Sequence, residues 1–197
     1  MNLGWALYQR EINILKDLDF GHTYKVKTIV TGRQRIFTYR DYFIYNEKGD
    51  LLVESSSVWI LFDLNKRSFV SDYPEEFKQI IDPGNELPHL PRPQKIRLKS
   101  FPSPSLSYST QVRYSEIDIN GHLSNHHQNR YLYDVISKET FELYRIKSFK
   151  ANYLEEANFG DLIAIEAFEL SKNIWMIQSK SANRKLALAQ IEFEIKA

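Results

Sequence analysis

The sequence predicts an α+β fold built from two similar antiparallel halves, and three observations carry that prediction. Alternating runs of β-branched and aromatic residues fill both ends of the chain, the pattern of half-buried strands. All seven prolines fall between Pro74 and Pro104. Proline removes ladder donors and fixes φ, so this stretch reads as a linker between folded parts. A Phe-Gly corner feeding an alternating strand occurs twice, in "DFGHTYKVKT" (19–28) and "NFGDLIAIEA" (158–167), which points to an internal repeat. The expected organisation is an N-terminal domain over residues 1–73, a Pro-rich linker over 74–104 and a C-terminal domain over 105–197.

In the first half, strands are expected at "EINILKDL", "TYKVKTIVT", "RIFTYRDYFIYN" and "LLVESSSVWILFDL". The segment "NEKGD" between the last two places Gly49 for a tight hairpin. In the second half a strand at "LSYSTQVRYSEID" precedes a helix near His127 to Tyr144, where Tyr131, Val135 and Ile136 recur at helical spacing and Leu132 and Glu139 lie on the flank. Strands follow at "IKSFKANYLEEA", "DLIAIEAFELS", "IWMIQSKSA" and "LALAQIEFEIK". Aligning the two meanders leaves the first without the strand and helix that open the second.

Composition narrows the function classes. The 26 Lys and Arg nearly balance the 25 Asp and Glu, so overall charge favours no nucleic-acid partner. There is no cysteine, which removes disulfides, thiol nucleophiles and Cys-ligated zinc. No apolar run approaches the about 18 residues of a membrane span, and no secretory leader is evident, so the expected location is the cytoplasm.

The chemistry-bearing stretch is "EIDINGHLSNHHQNRYLYD" (116–134). If "DINGH" is extended, Asp118, Asn120 and His122 alternate with Ile119 and Gly121 and point to one side. An amide and an imidazole at a strand-to-helix junction can bind a carbonyl oxygen and move a proton. Asp and Asn are equally favoured as turn and capping residues, so spacing alone leaves both readings open. A partner carboxylate is available at Glu155 or Glu156, of which an extended strand turns only one toward the loop. A zinc site at His122, His126 and His127 is the competing idea, without HExxH spacing to support it. No metal and no cofactor is expected.

Three stretches, "LGWALYQREINI", "YRDYFIYNEKGDLLVESSSVWILFD" and "YSEIDINGHLSN" with the later "YLEEANFGD", resemble the acyl-acyl carrier protein thioesterases, the bacterial relatives of the plant enzymes that end fatty-acid synthesis. The resemblance implies a double hotdog, two curved antiparallel sheets each around a helix, with the first hotdog lacking its opening strand and helix. It implies hydrolysis of a fatty acyl thioester on acyl carrier protein by activated water. Asp118, Asn120 and His122 match the family's Asp, Asn and His, and Glu156 matches its catalytic carboxylate. Many plant members carry Cys at the position of Ala157. After His122 the chain departs from the family, with about three extra residues before Tyr131.

The gap before the first meander would expose an inner face that another subunit could cover, a homodimer being one such arrangement. It would also forfeit acyl contacts worth about 0.8 kcal/mol per buried methylene. From Leu87 to Ser115 there is no acidic residue, while Arg92, Lys95, Arg97 and Lys99 are basic. These four are candidate contacts for an acidic carrier protein, with a solvated basic linker as the plain alternative. Two rival functions stand beside the thioesterase: an acyl-CoA hydrolase of the same fold, and a catalytically weak acyl-binding module.

Overall fold

The computed structural model describes residues 2–75, 77, 90–97 and 103–196. The chain divides into two compact units, Met1–Gln94 and Lys95–Ala197.

In the first unit the strands are β1 (Leu3–Ile14), β2 (Lys25–Gln34), β3 (Phe37–Tyr45), β4 (Leu51–Asp63) and the short β5 (Ser68–Phe69). They form an antiparallel sheet in the order β2-β3-β4-β1, with β5 against the free end of β4. β1 begins well before the "EINILKDL" run expected from sequence, because "LGWALYQ" pairs with β4 from Leu3↔Asp63 onward. The hairpin at "NEKGD" forms as expected: Gly49 takes φ 87°, its N–H donates to the Asn46 carbonyl at 3.1 Å, and the Asp50 N–H donates to Asn46 Oδ1 at 2.9 Å. Leu61 and Tyr73 are buried together against Leu3, Val30, Val70 and Phe77.

The second unit contains β6 (Leu106–Gln111), a 3-10 turn (Tyr114–Glu116), α1 (Asn125–Asp134), α2 (Lys138–Leu143), β7 (Tyr144–Tyr153), β8 (Leu162–Ser171), β9 (Ile174–Ser181) and β10 (Arg184–Ile195). Its antiparallel order is β6-β8-β9-β10-β7. Removing β6 leaves β8-β9-β10-β7, the same order as β2-β3-β4-β1 in the first unit. The two Phe-Gly corners also correspond, with Gly21 at φ 84° and Gly160 at φ 83°. Both need the left-handed backbone that glycine adopts without strain.

The helical segment differs from expectation in two ways. It is two helices, not one, because Ser137 caps a new start by accepting from the Thr140 N–H at 3.3 Å. Leu132, placed on the flank by its spacing, is fully buried, beside the expected core positions Tyr131, Val135 and Ile136. The helices lie on the face of β7 and β10 that carries Phe149 and Phe193. The Tyr133 and Phe149 rings are 5.1 Å apart, those of Phe141 and Phe193 5.8 Å, and Tyr153 Oη donates to Asn129 Oδ1 at 2.8 Å. β6 stops at Gln111 rather than running on to Asp118, since the 3-10 turn interrupts it.

Of the predicted linker, residues 76, 78–89 and 98–102 lie outside the described residues. In the first unit, the Leu90 N–H donates to the buried Asp41 Oδ2 at 3.0 Å, and the Arg92 guanidinium binds Thr31 Oγ1 at 2.6 Å and the Thr31 carbonyl at 3.0 Å. Among the described residues no helix is long and apolar enough to cross a membrane.

Candidate active site

The segment 117–123 is not extended, so the expected alternation of Asp118, Asn120 and His122 along a strand does not hold. Ile117 and Leu123 form an isolated antiparallel bridge, and the chain between them closes into a turn. The Asp118 N–H donates to the His122 carbonyl at 2.9 Å, the Gly121 N–H donates to the Asp118 carbonyl at 3.0 Å, and Gly121 sits at φ 83°. Asp118 Oδ1 accepts the Asn120 N–H at 2.8 Å and Oδ2 lies 3.4 Å from Asn120 Nδ2. Such an Asx arrangement is the local bond that Asp prefers to a regular ladder, and it overrides the period-two pattern.

The turn delivers His122 to Glu156. His122 Nε2 lies 3.0 Å from Glu156 Oε2, with the imidazole 16% and the carboxylate 45% exposed. Immediately beside this pair the Leu123 N–H donates to the Ala157 carbonyl at 2.8 Å, and Ala157 is buried. Residues 122 and 123 therefore meet 156 and 157 in step, side chain to side chain and then main chain to main chain. The Asn120 amide is turned to Asp118 rather than to either member of the pair. Glu155 is exposed, its N–H directed to the Leu186 carbonyl at 3.4 Å.

Below the turn, Glu116 ties the 3-10 segment to α1. Its Oε2 accepts the Tyr131 hydroxyl at 2.5 Å and the Arg113 N–H at 2.7 Å, and the Ser124 N–H donates to its carbonyl at 2.9 Å. Burial pushes the Glu116 carboxyl up, but the bonds from Tyr131 and the Arg113 amide outweigh it and hold the group below the usual carboxylate range. Burial and then the Glu116 carboxylate raise the Tyr131 phenol. Ser124 caps α1 by accepting the His127 N–H at 3.3 Å, and its Oγ lies 2.8 Å from His127 Nδ1. His126 and His127 stand ring to ring at 5.1 Å, and among the described residues no three His, Cys, Asp or Glu side chains converge on a metal position.

Sequence reasoning missed Asp161 and Arg184. Arg184 Nη2 and the Asn158 N–H both bind Asp161 Oδ2, at 2.6 and 2.8 Å, in the loop that follows Glu156. The clue available was the Asp three residues after Asn158 in "NFGD", a spacing for a local side-chain-to-backbone bond; Arg184 left no clue, since its contact depends on β10. The Asn158 amide, and after the opposing effect of burial the Arg184 guanidinium, hold the Asp161 carboxyl below its usual range. A depressed folded value stabilises the protein above the unfolded pKa of about 3.9, and that contribution is lost as pH falls through the lower folded value. Asp161→Asn is therefore expected to melt below the wild type at about pH 6, with the gap closing toward about pH 2, in thermal melts across that range.

Of the basic residues, Arg92 is half-buried over the Tyr39 ring at 4.2 Å, and Lys95 and Arg97 are exposed. Lys99 lies outside the described residues.

The family model for the acyl-ACP thioesterase N-terminal domain matches residues 1–81, and that for the acyl-ACP thioesterase C-terminal domain matches 102–195. The chain belongs to the acyl-ACP thioesterase family. A chloroplastic acyl-[acyl-carrier-protein] hydrolase of Cuphea viscosissima is 23% identical over 178 residues, which is 87% of this chain and 42% of that protein. The chain thus spans about two fifths of the length of the curated acyl-ACP hydrolases it matches. An acyl-ACP thioesterase from Bacteroides thetaiotaomicron superposes with a TM-score of 0.85 at 25% identity, over 98% of this chain and 77% of that one. The 12:0-ACP thioesterase from Umbellularia californica gives 0.83 at 16% identity, over 99% and 76%, a likeness of fold. His122 and Glu156 both fall within the residues matched by the C-terminal domain model.

Proposed function

We propose that this chain hydrolyses the thioester of a fatty acyl-acyl carrier protein and releases the free fatty acid. The observation that carries the reading is the His122–Glu156 pair, 3.0 Å apart inside the family's C-terminal domain. Glu156 and His122 take a proton from water as it attacks the thioester carbonyl. The resulting oxyanion collapses, the carbon–sulfur bond breaks, and the thiolate leaves with the proton returned by the pair. First-turn amides of α1 are suited to the oxyanion, and Asp118, which accepts the Asn120 N–H at 2.8 Å, anchors the turn ahead of that helix. The chain contains no cysteine, so no thiol attacks, and water is taken as the attacking group.

The matching sheet orders of the two units support a double hotdog, with domains at 1–73 and 105–197 joined by 74–104; the boundary between compact units, after Gln94, falls within that joining segment. The acidic carrier protein is read as the partner. With Arg92 committed to Thr31 and Tyr39, exposed Lys95 and Arg97 are the side chains suited to steer it.

Purified protein offered acyl-carrier and acyl-CoA thioesters of graded chain length, with thiol release followed, tests the reading. Turnover is expected on the carrier-linked series. Reversing Lys95 and Arg97 to Glu should raise KM for the carrier-linked substrate and leave a small acyl thioester alone. Preference for acyl-CoA would move the substrate assignment, binding without thiol release would leave an acyl-binding module, and equal KM effects on both substrates would refute steering by these residues.

A further inference from the structure

The loop that carries Glu156 is fastened at its ends. The Leu154 N–H donates to the Leu186 carbonyl at 2.8 Å as the chain leaves β7. Before β8 begins, the Gly160 N–H donates to the Val112 carbonyl at 3.0 Å, the Val112 N–H donates to the Asp161 carbonyl at 3.0 Å, and Gln111 Nε2 donates to the Gly160 carbonyl at 3.0 Å. Between those ties the Leu123 N–H holds the Ala157 carbonyl at 2.8 Å and the Tyr114 ring meets that of Phe159 at 6.3 Å, and a guanidinium from another element grips the backbone of the loop. Arg184, the first residue of β10, donates from Nη1 to the carbonyl of Glu156 itself at 2.8 Å and from Nη2 to Asp161 Oδ2 at 2.6 Å.

We infer that Arg184 is a positioning residue for Glu156, acting through the loop and not on the reacting atoms; this rests on Glu156 being the carboxylate that activates water. The carbonyl it grips belongs to the peptide that leaves Glu156, so fixing that carbonyl fixes ψ of Glu156 and with it the direction of the Cα–Cβ bond. The carboxylate is nearly half exposed, and burial does little to restrain it. Placement of an acid–base group must be good to about 0.5 Å, and an error of about 1 Å can cost about 100-fold. The planar guanidinium is suited to the task, because its rigid fork engages two acceptors at a set angle where a lysine ammonium presents one compact charge. Asp161 pairs with the guanidinium, so its charge is balanced locally and its effect on Glu156 is one of direction.

The test compares Arg184→Met, Arg184→Lys, Glu156→Gln and the double variant Glu156→Gln with Arg184→Met, reading kcat and KM separately on an acyl thioester with a thermal melt for each. Arg184→Met is expected to lose about 10- to 100-fold in kcat with KM within about twofold. Arg184→Lys keeps the charge beside Asp161 but loses the fork; it should retain most of the melting temperature and still lose kcat. Because the effect runs through Glu156, the double variant should be no slower than Glu156→Gln alone. Wild-type kcat in folded Arg184→Met or Arg184→Lys overturns the inference. So do losses that multiply in the double variant, or a kcat loss that only follows the folded fraction. Full activity in Glu156→Gln would instead remove the carboxylate reading beneath it, whatever the Arg184 variants do.

Discussion

Glu156→Gln is expected to lower kcat by about 100- to 10,000-fold, the range that a positioned acid–base group contributes, with the fold intact. The substitution keeps the shape of the side chain and removes only its ability to take a proton. At 45% exposure the carboxylate is not a core group, so its loss should not unfold the domain. His122→Ala should fall into the same range, since the imidazole supplies the other half of the 3.0 Å pair. Single-turnover thiol release by each variant, with circular dichroism as the control for folding, decides the matter. A folded variant of either kind that retains wild-type kcat would sink the assignment.

Leu132→Ala should have the largest effect on stability, about 2–5 kcal/mol, because a fully buried leucine in α1 leaves a cavity that the sheet beneath cannot close. The same helix carries Tyr131, whose hydroxyl bonds Glu116 ahead of the turn that bears His122. The variant should therefore lose melting temperature first and activity with it. Denaturant titration of Leu132→Ala beside an exposed control such as Leu143→Ala measures the difference; equal midpoints would mean that α1 is not seated as described.

The strands were legible because alternation survives in the sequence wherever one face of a sheet is buried, as at Ala187, Ala189, Ile191 and Phe193 in β10. The repeat was legible for a local reason: each Phe-Gly corner needs a glycine at positive φ. The division of the helix was not, since Ser137 acts as a cap only once the chain has turned there. The site shows the same split. His122 was singled out by pattern and Glu156, over Glu155, by the family resemblance, but the shape of the turn between Asp118 and His122 was misread, because an aspartate bonding its own backbone competes with the strand that alternation suggests. Arg184 was invisible for want of any local signature: 28 residues separate it from Glu156, and the pairing of β10 with β7 is what brings it round.

The bond from the Leu123 amide to the Ala157 carbonyl has a bearing on how such sites vary. Every amino acid offers a carbonyl, so the tie between the two loops places no chemical demand on the side chain at 157. Alanine, or another side chain small enough for the buried space, can occupy the position without disturbing the pair beside it. The side chain at 157 can then change without cost to the alignment of His122 with Glu156, which the peptide backbone sets.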